Sequence, residues 1–519
     1  MKAGWCAKQM ALAWRGAPVR TTFRRALAGA LLAGAPALGA ANPAVAQAPT
    51  PTLSPDHWSV GALRRLDAAG LLPPGSDWGR RTPREGDVGR ALAHAAVVAG
   101  VQDHPLLPLI ADWSVRFVSE TGAVALPLLA PVQVVRITAE GGYRYRTGVV
   151  LTGVGYANED NWSGAPPAPD TSTALGSVSI GTRLRDRAWL GATVEGRHGN
   201  MRLPAAEAVV RLGGFHLWGG RRVVGMGPGR GGSIVLSGTS LDGVGLATAA
   251  PLEPSGFLDV LGALSAEIVL SRLENGVSIT EPWFAATRLA LSPHPRFGLG
   301  LTRGDIFGGR GNAPITLEHM LKLLVGKHSG EVGEFNNIVL ALDARWRPPL
   351  GALPLRLWLE WGLDDSAGAI SNSPANVVGA ELGAVPGLPH LALGIERTWF
   401  HPDCRCGNTV WYRNWALTGG WTDERRPLGH LLGGDGTEWR GDARLDVGRA
   451  TLSAAGWTRE RGPHNLFAPE RAGRATGGEV RAAVRLAARW SLTGSAWVEE
   501  GADGWRENAL ALRLSGRLH

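Results

Sequence analysis

From about residue 131 to the C-terminus, apolar and polar residues alternate with a period of two, and this pattern constrains the fold more than any other feature of the chain. Ile338, Leu340, Leu342, Ala344 and Trp346 alternate with Val339, Ala341, Asp343 and Arg345. Leu355, Leu357, Leu359 and Trp361 alternate with Arg356, Trp358 and Glu360, and Leu510, Leu512 and Leu514 with Ala511, Arg513 and Ser515. Successive side chains of a strand point to opposite faces, so each run specifies one apolar and one mixed face. Runs of roughly 8–11 residues match a tilted strand crossing an outer membrane. About 390 residues at ~20–24 per strand and turn give ~16–20 strands.

A soluble sandwich also alternates. Three features favour the membrane. The strand region has no second helical layer to cover it. Tryptophan is abundant, 21 in all, and Trp346, Trp361, Trp399, Trp457 and Trp490 fall at strand ends, where aromatic girdles lie. The first 48 residues read as an export signal. Lys2, Lys8, Arg15, Arg20, Arg24 and Arg25 form a basic region, Ala26 to Ala40 an apolar one, and Ala44-Val45-Ala46 and Ala46-Gln47-Ala48 are small-x-small cleavage sites. Beyond residue 50 no apolar run approaches the ~20 residues of a membrane helix. A spanning chain must therefore close into a barrel, which leaves no backbone group unpaired in lipid.

The signal carries six basic residues and no acid, so the formal charge of +8 falls to +2 on cleavage. No basic stripe with interleaved aromatics appears, and nucleic acid is not an expected partner. Of three cysteines, Cys6 leaves with the signal, and Cys404 and Cys406 stay in His401-Pro402-Asp403-Cys404-Arg405-Cys406. A bridge between such close cysteines is strained. A His401/Asp403/Cys404/Cys406 metal site is conceivable, but a plain loop is the simpler reading, and no metal or cofactor is expected.

Residues 49–122 have a different texture. Asp56 can cap a helix through Ala62, Leu63, Leu66 and Ala69, with Gly70 as its stop. Thr82-Pro83-Arg84-Glu85 matches a capping box with proline at the first helical position. Its helix runs through Val88, Leu92 and Ala96 to Gly100, and a third spans Leu106 to Ser119. The expected organisation is a signal peptide (1–48), a helical module (49–122) and a barrel (131–519).

Gly227-Pro228-Gly229-Arg230-Gly231-Gly232 fits G-x-G-x-x-G as a string. A dinucleotide site needs a helix next, whereas Ser233 to Ser237 is strand-like. No Walker lysine, H-E-x-x-H or G-x-S-x-G accompanies it, so no catalytic residues are assigned and an enzyme is not expected. The same stretch, from Trp218-Gly219-Gly220-Arg221-Arg222 to Ser237, resembles a signature segment of the Wzi-type capsule assembly family. Leu301-Thr302-Arg303-Gly304 with Phe307-Gly308-Gly309-Arg310-Gly311 is similar to its Gly/Arg-rich turn, and Asn336-Asn337 leading to Trp346 to the strand that follows. Trp411-Tyr412-Arg413 through Leu428-Gly429-His430 and Gly433-Gly434-Asp435-Gly436 resembles its late segment. The cysteine pair and the terminal His519 depart from the family pattern.

The resemblance implies an all-β transmembrane antiparallel barrel of about 18 strands with a small N-terminal periplasmic helical bundle. It also implies lectin-like holding of capsular or extracellular polysaccharide at the cell surface. Outer-membrane lipid and periplasmic polysaccharide-export components are the other expected partners. Trp411, Tyr412, Trp415 and Trp421 are candidates for stacking on sugar rings from exposed loops. Inward arginines (Arg183, Arg185, Arg197, Arg211, Arg288, Arg345, Arg356, Arg444, Arg481, Arg485 and Arg513) face Glu195, Asp343, Glu360 and Asp446. Arg183, Arg345, Arg356, Asp343 and Glu360 are the expected lumen network. The alternative is a porin or channel for small solutes or for polysaccharide export, with the same architecture and an open lumen.

Overall fold

The computed structural model describes residues 42–43, 49–53, 57–76, 82–121, 134–147, 171–184, 187–197, 200–273, 279–312, 316, 318, 336–351, 353–364, 374–400, 403–404, 407–408, 411–412, 420–423, 426–467, 471–487, 489–502 and 504–517. Among the described residues, eighteen long strands follow three helices. The helices are α1 (Trp58–Ala69), α2 (Glu85–Val101) and α3 (Leu107–Thr121). The strands begin with β1 (Val134–Thr147), β2 (Thr171–Leu184), β3 (Ala188–Arg197), β4 (Asn200–Leu212), β5 (Phe215–Met226) and β6 (Leu236–Thr248). Next come β7 (Ala263–Arg272), β8 (Trp283–His294), β9 (Phe297–Phe307), β10 (Asn336–Trp346), β11 (Leu355–Asp364) and β12 (Ala375–Leu382). The ring ends with β13 (Leu391–Phe400), β14 (Gly436–Val447), β15 (Ala450–Arg461), β16 (Gly473–Ala487), β17 (Trp490–Gly501) and β18 (Arg506–Arg517).

Each long strand pairs antiparallel with its neighbours in sequence, and β1 pairs with β18 from Arg136↔Arg517 to Thr147↔Arg506. The ladder thus returns to its start and leaves no free edge. The alternation read from the sequence governs the side chains. In β10, Val339, Ala341, Asp343 and Arg345 are buried inward, while Leu342 and Trp346 remain exposed on the outside. Val178, Ile180, Leu299, Leu359, Ile395 and Leu512 are likewise exposed. An apolar outer band this extensive is what a lipid-facing wall requires. No described helix is long and apolar enough to cross a membrane.

Connections differ at the two ends. At the end holding Val134 and Arg517, adjoining strands are joined by turns as short as residues 448–449 and 295–296. At the other end most connections are longer, although β3 and β4 are joined by residues 198–199 alone; that between β9 and β10 takes up residues 308–335. Trp346, Trp361, Trp399 and Trp490 take outward positions, as a girdle needs. Trp457 does not. It turns into the lumen with its ring 6.2 Å from Trp497, because Gly477 on the paired strand leaves room for its indole.

The helical module has its own core of Leu63, Leu66, Val88, Leu92, Ile110, Trp113 and Phe117. α1 stops at Gly70, whose φ of 76° lies in the left-handed region that favours glycine. Its N-cap is His57; Asp56 lies outside the described residues. The expected capping box of α2 is absent. Leu53 N donates to Pro83 O at 2.9 Å and Glu85 N to Pro51 O at 3.0 Å, so extended pairing occupies the backbone where the first turn was expected. The helix starts at Glu85, and Asp87 accepts from Arg84 N at 3.3 Å. Thr82 instead accepts a hydrogen bond from Gly225 N in β5 at 2.7 Å, which ties the module to the barrel. Asn42–Pro43, within the expected signal, bridges Leu252–Glu253; the rest of the expected signal lies outside the described residues.

Candidate functional site

The inner faces of β10 to β14 place a set of carboxylates on one side of the lumen. Asp343, Glu360, Glu381, Glu396 and Glu438 are buried there, with Asp442 beside them. Uncompensated burial of so many acids is prohibitive. Asp343 and Glu438 pair with wall arginines, Arg288 at 2.9 Å and Arg459 at 2.7 Å, and two inserted structures bind the rest of this wall.

The first is the connection between β5 and β6, the glycine-rich stretch. It crosses from the far side of the ring and gives its backbone N–H groups to the wall. Arg230 N and Gly231 N donate to the two oxygens of Glu396 at 2.8 and 2.7 Å, and Trp358 Nε1 adds a third bond at 3.0 Å. Ile234 N donates to Glu360 at 3.1 Å. The Arg230 guanidinium reaches Asp442 at 2.7 Å and Glu381 at 3.2 Å. Burial disfavours its charge, but Glu381, Asp442 and Glu396 outweigh that and hold its pKa above the usual value. Glycine is needed for the path: a Cβ on Gly229 would stand 1.8 Å from the Gly232 carbonyl oxygen, and Gly227 and Gly232 both have φ of 130°. No helix follows; β6 begins at Leu236. The stretch binds carboxylates of its own barrel.

Residues from the β13–β14 connection pack over it. Tyr412 N donates to Asp364 at 2.7 Å, and Tyr412 Oη donates to Ile234 O at 2.6 Å while accepting from His430 N at 3.0 Å. Trp421 Nε1 donates to Val235 O at 2.9 Å. The rings of Trp411 and Tyr412 lie 5.1 and 5.4 Å from Phe400, and Trp421 meets Phe284 edge-on at 5.6 Å. Burial pushes the Tyr412 hydroxyl well above its usual pKa and takes the His430 imidazole down to about 4, so both are neutral near pH 7. Trp411, Tyr412 and Trp421 are wholly buried, so none offers a ring face to a sugar from an exposed loop. That expectation is corrected: Tyr412 and Trp421 hold the plug through their hydrogen bonds, and Trp411 packs edge-on against Phe400 and Tyr412. Trp415 lies outside the described residues.

The second structure is α1, at the short-turn end. Asp67 receives Arg345 at 2.8 Å and Arg356 at 3.3 Å. Burial raises its pKa, but Arg345, Arg356 and Arg347 together keep it below the usual carboxylate value. Arg356 also pairs with Glu381 at 2.7 Å, the acid that takes Arg230 from the plug. A chain of alternating charge, Asp67–Arg356–Glu381–Arg230–Asp442, therefore joins the module to the plug. Arg65 adds a bond to Asp446 at 2.6 Å and one to Gly383 O at 2.7 Å.

The five residues expected to form one network are divided among several. Arg345 and Arg356 meet at Asp67, whereas Asp343 pairs with Arg288 at 2.9 Å. Glu360 is bonded to the plug backbone instead of an arginine. Arg183 faces the lumen from β2, on the opposite side of the ring. Of the wider inward set, Arg444 pairs with Asp446 at 2.9 Å and Arg481 with Glu479 at 2.9 Å; Arg185 lies outside the described residues. Asp67, Arg230, Glu381, Glu396 and His430 were not singled out from sequence. Acids at inward positions of successive strands, facing a glycine-rich loop with a lone arginine, were the available signal. Packing is uneven around the ring: inward Ser491, Thr493 and Ser495 of β17 are only half-buried. Asp403–Cys404 pairs with Gly407–Asn408 as a two-residue hairpin, and no metal-binding cluster occurs among the described residues.

Comparison with known proteins identifies the architecture. The family described as capsule assembly protein Wzi matches residues 136–502. No curated protein matches the chain. Among solved structures, Wzi of Escherichia coli, described as an outer membrane protein involved in group 1 capsule assembly and a carbohydrate-binding β-barrel, aligns with a TM-score of 0.68 at 16% identity. That alignment covers 89% of this chain and 99% of the other. OccK11 (OpdR) of Pseudomonas aeruginosa aligns with a TM-score of 0.44 at 12% identity, covering 74% of this chain and 95% of the other. At such identities the first likeness is one of fold, and the second carries no argument. The family match spans most of the barrel and includes the plug, and on that ground the chain belongs to the Wzi family of capsule assembly proteins.

Proposed function

We propose that this protein is an outer-membrane barrel that holds capsular or extracellular polysaccharide at the cell surface without chemically altering it, with its helical module in the periplasm. The observation that carries this reading is the ordered plug. The glycine-rich connection crosses the lumen and binds the far wall through its backbone, which opposes a wide channel and suits a platform. The family assignment supports the capsule role, and the E. coli protein of like fold is described as carbohydrate-binding. The helices join the barrel at the end with short turns, the periplasmic end in outer-membrane barrels. Residues 1–48 act as the export signal in this reading, with the mature chain starting at Gln47 or Pro49.

A deletion strain tests the function. Polymer is expected to move from the cell to the medium while its synthesis continues, because attachment by many weak sugar contacts depends on the holding protein. Polymer remaining on the cell, together with free ion conduction by the purified barrel in a planar bilayer, would replace this reading with the channel.

A further inference from the structure

The outer wall has one feature that the polysaccharide role does not use. A groove of about 560 Å³ runs over the lipid-facing side of β10 to β14. Trp399 and Trp439 bound it toward the long-loop end, Leu359, Val378 and Ile395 line its middle, and Trp346 closes the short-turn end. Arg397 stands among them, three residues below the long-loop end of β13, exposed and pointing outward. Its guanidinium lies 4.9 Å from the Trp399 ring centre and 5.2 Å from that of Trp439. Its direct neighbours across the sheet are Val378 and Trp439, and it has no acidic partner among the described residues.

Three other outward arginines are compensated. Arg221 pairs with Asp242 at 2.7 Å, Arg272 with Glu281 at 3.2 Å and Arg303 with Asp305 at 2.7 Å. A cation on the lipid face of a barrel is costly unless it meets an interface or an opposite charge. Arginine flattened on two indoles still offers its donor edge, which matches phosphate in a two-pronged contact. We propose that this groove binds one phosphate-bearing lipid of the outer leaflet, its phosphate on Arg397 and an acyl chain running down over Val378 and Ile395 toward Trp346. The charge sits at the long-loop end and the apolar trough below it, the order in which an outer-leaflet lipid presents head and tail. The inference rests on the outer-membrane reading above.

The test reconstitutes the full mature chain in nanodiscs containing lipid A that bears its two phosphates, or the same lipid without them, and counts lipid retained after mild detergent extraction by native mass spectrometry. Wild type is expected to keep one phosphorylated lipid and to release the phosphate-free one. Arg397→Gln should lower retention roughly tenfold or more, the scale of a lost charge-assisted bond. Ala380→Trp, which fills the groove and leaves Arg397 in place, should do the same, and Arg272→Gln should not. Equal retention of phosphate-free lipid, full retention by Arg397→Gln and Ala380→Trp, or an equal loss with Arg272→Gln would overturn the proposal. Heat-modifiable migration separates the two levels of failure. A wild-type chain that is soluble without detergent removes the membrane reading and the groove with it, whereas an intact detergent-bound barrel showing any overturning result removes the groove alone.

Discussion

The two structures that enter the barrel hold its wall by different chemistry. At the long-loop end the glycine-rich plug presents backbone N–H groups to Glu396 and Glu360 and is locked by Tyr412 and Trp421. At the short-turn end α1 presents charged side chains, Asp67 to Arg345 and Arg356 and Arg65 to Asp446. Backbone donors cannot move without moving the chain, so the first closure is rigid and specific in path. Guanidinium pairs tolerate re-aiming of long side chains, so the second can adjust while remaining paired. The same barrel thus carries a fixed plug and a compliant one, joined through Glu381.

The largest effect should come from the rigid closure. Glu396→Ala leaves two buried backbone donors and the Trp358 indole N–H without their acceptor, and should destabilise the plug by about 3–5 kcal/mol. Quenching of Trp421 and Tyr412 fluorescence by added iodide should rise while gel migration of the barrel is retained. Unchanged quenching would mean that the plug is held elsewhere.

Arg356→Ala should cost about 2–4 kcal/mol, since it removes a partner from both Asp67 and Glu381. Arg345→Ala should cost less, because Arg356 still meets Asp67. If the two closures are linked, Arg356→Ala and Arg230→Ala should be non-additive by about 1 kcal/mol or more in a double-mutant cycle of thermal unfolding. Strict additivity would break the link through Glu381.

The pH response should also separate the ends. His430 is held down to about 4 by burial, so the unfolded chain takes up a proton near pH 6.5 that the folded chain refuses until about 4. Its contribution is complete above the unfolded value and is lost as pH falls through that window, up to about 1.4 kcal/mol per pH unit. Glu120, in the module, has its pKa brought to about 2: burial raises it, but the His57 hydrogen bond and Arg116 outweigh that. Its contribution is lost only between about 4.5 and 2. Iodide quenching should therefore report plug loosening before circular dichroism reports loss of helix as acid is added, and His430→Gln should abolish only the earlier phase. The smallest effect is expected at Arg90, which is 46% exposed beside Asp87: Arg90→Ala should shift the melting of the module by less than about 0.5 kcal/mol.

Strand identity, the inward and outward faces and the approximate strand number are legible in the sequence, because period two is a local property and each strand carries it independently. Leu342 outside and Asp343 inside follow from their parity alone. The three helices and the Gly70 stop were legible for the same reason. What local pattern could not give is which long connection turns back into the lumen. Trp411, Tyr412 and Trp421 read as exposed loop aromatics because their burial depends on a segment nearly two hundred residues earlier, whose carbonyls at Ile234 and Val235 accept the hydrogen bonds of Tyr412 and Trp421. Thr82 read as a helix cap because its true partner, Gly225 N, is supplied by the barrel.

By itself, then, the sequence determined a closed antiparallel barrel with a helical module and the family to which it is similar, since alternation, capping glycine and motif order are written in neighbouring residues. Only the tertiary structure decided that Glu381 is shared by Arg356 and Arg230 and that Arg397 is left facing outward without an acid among the described residues. The physical reason is that pairing of buried charge is settled by closure of the ring, which brings strands far apart in the chain across the lumen from the loops that must neutralise them.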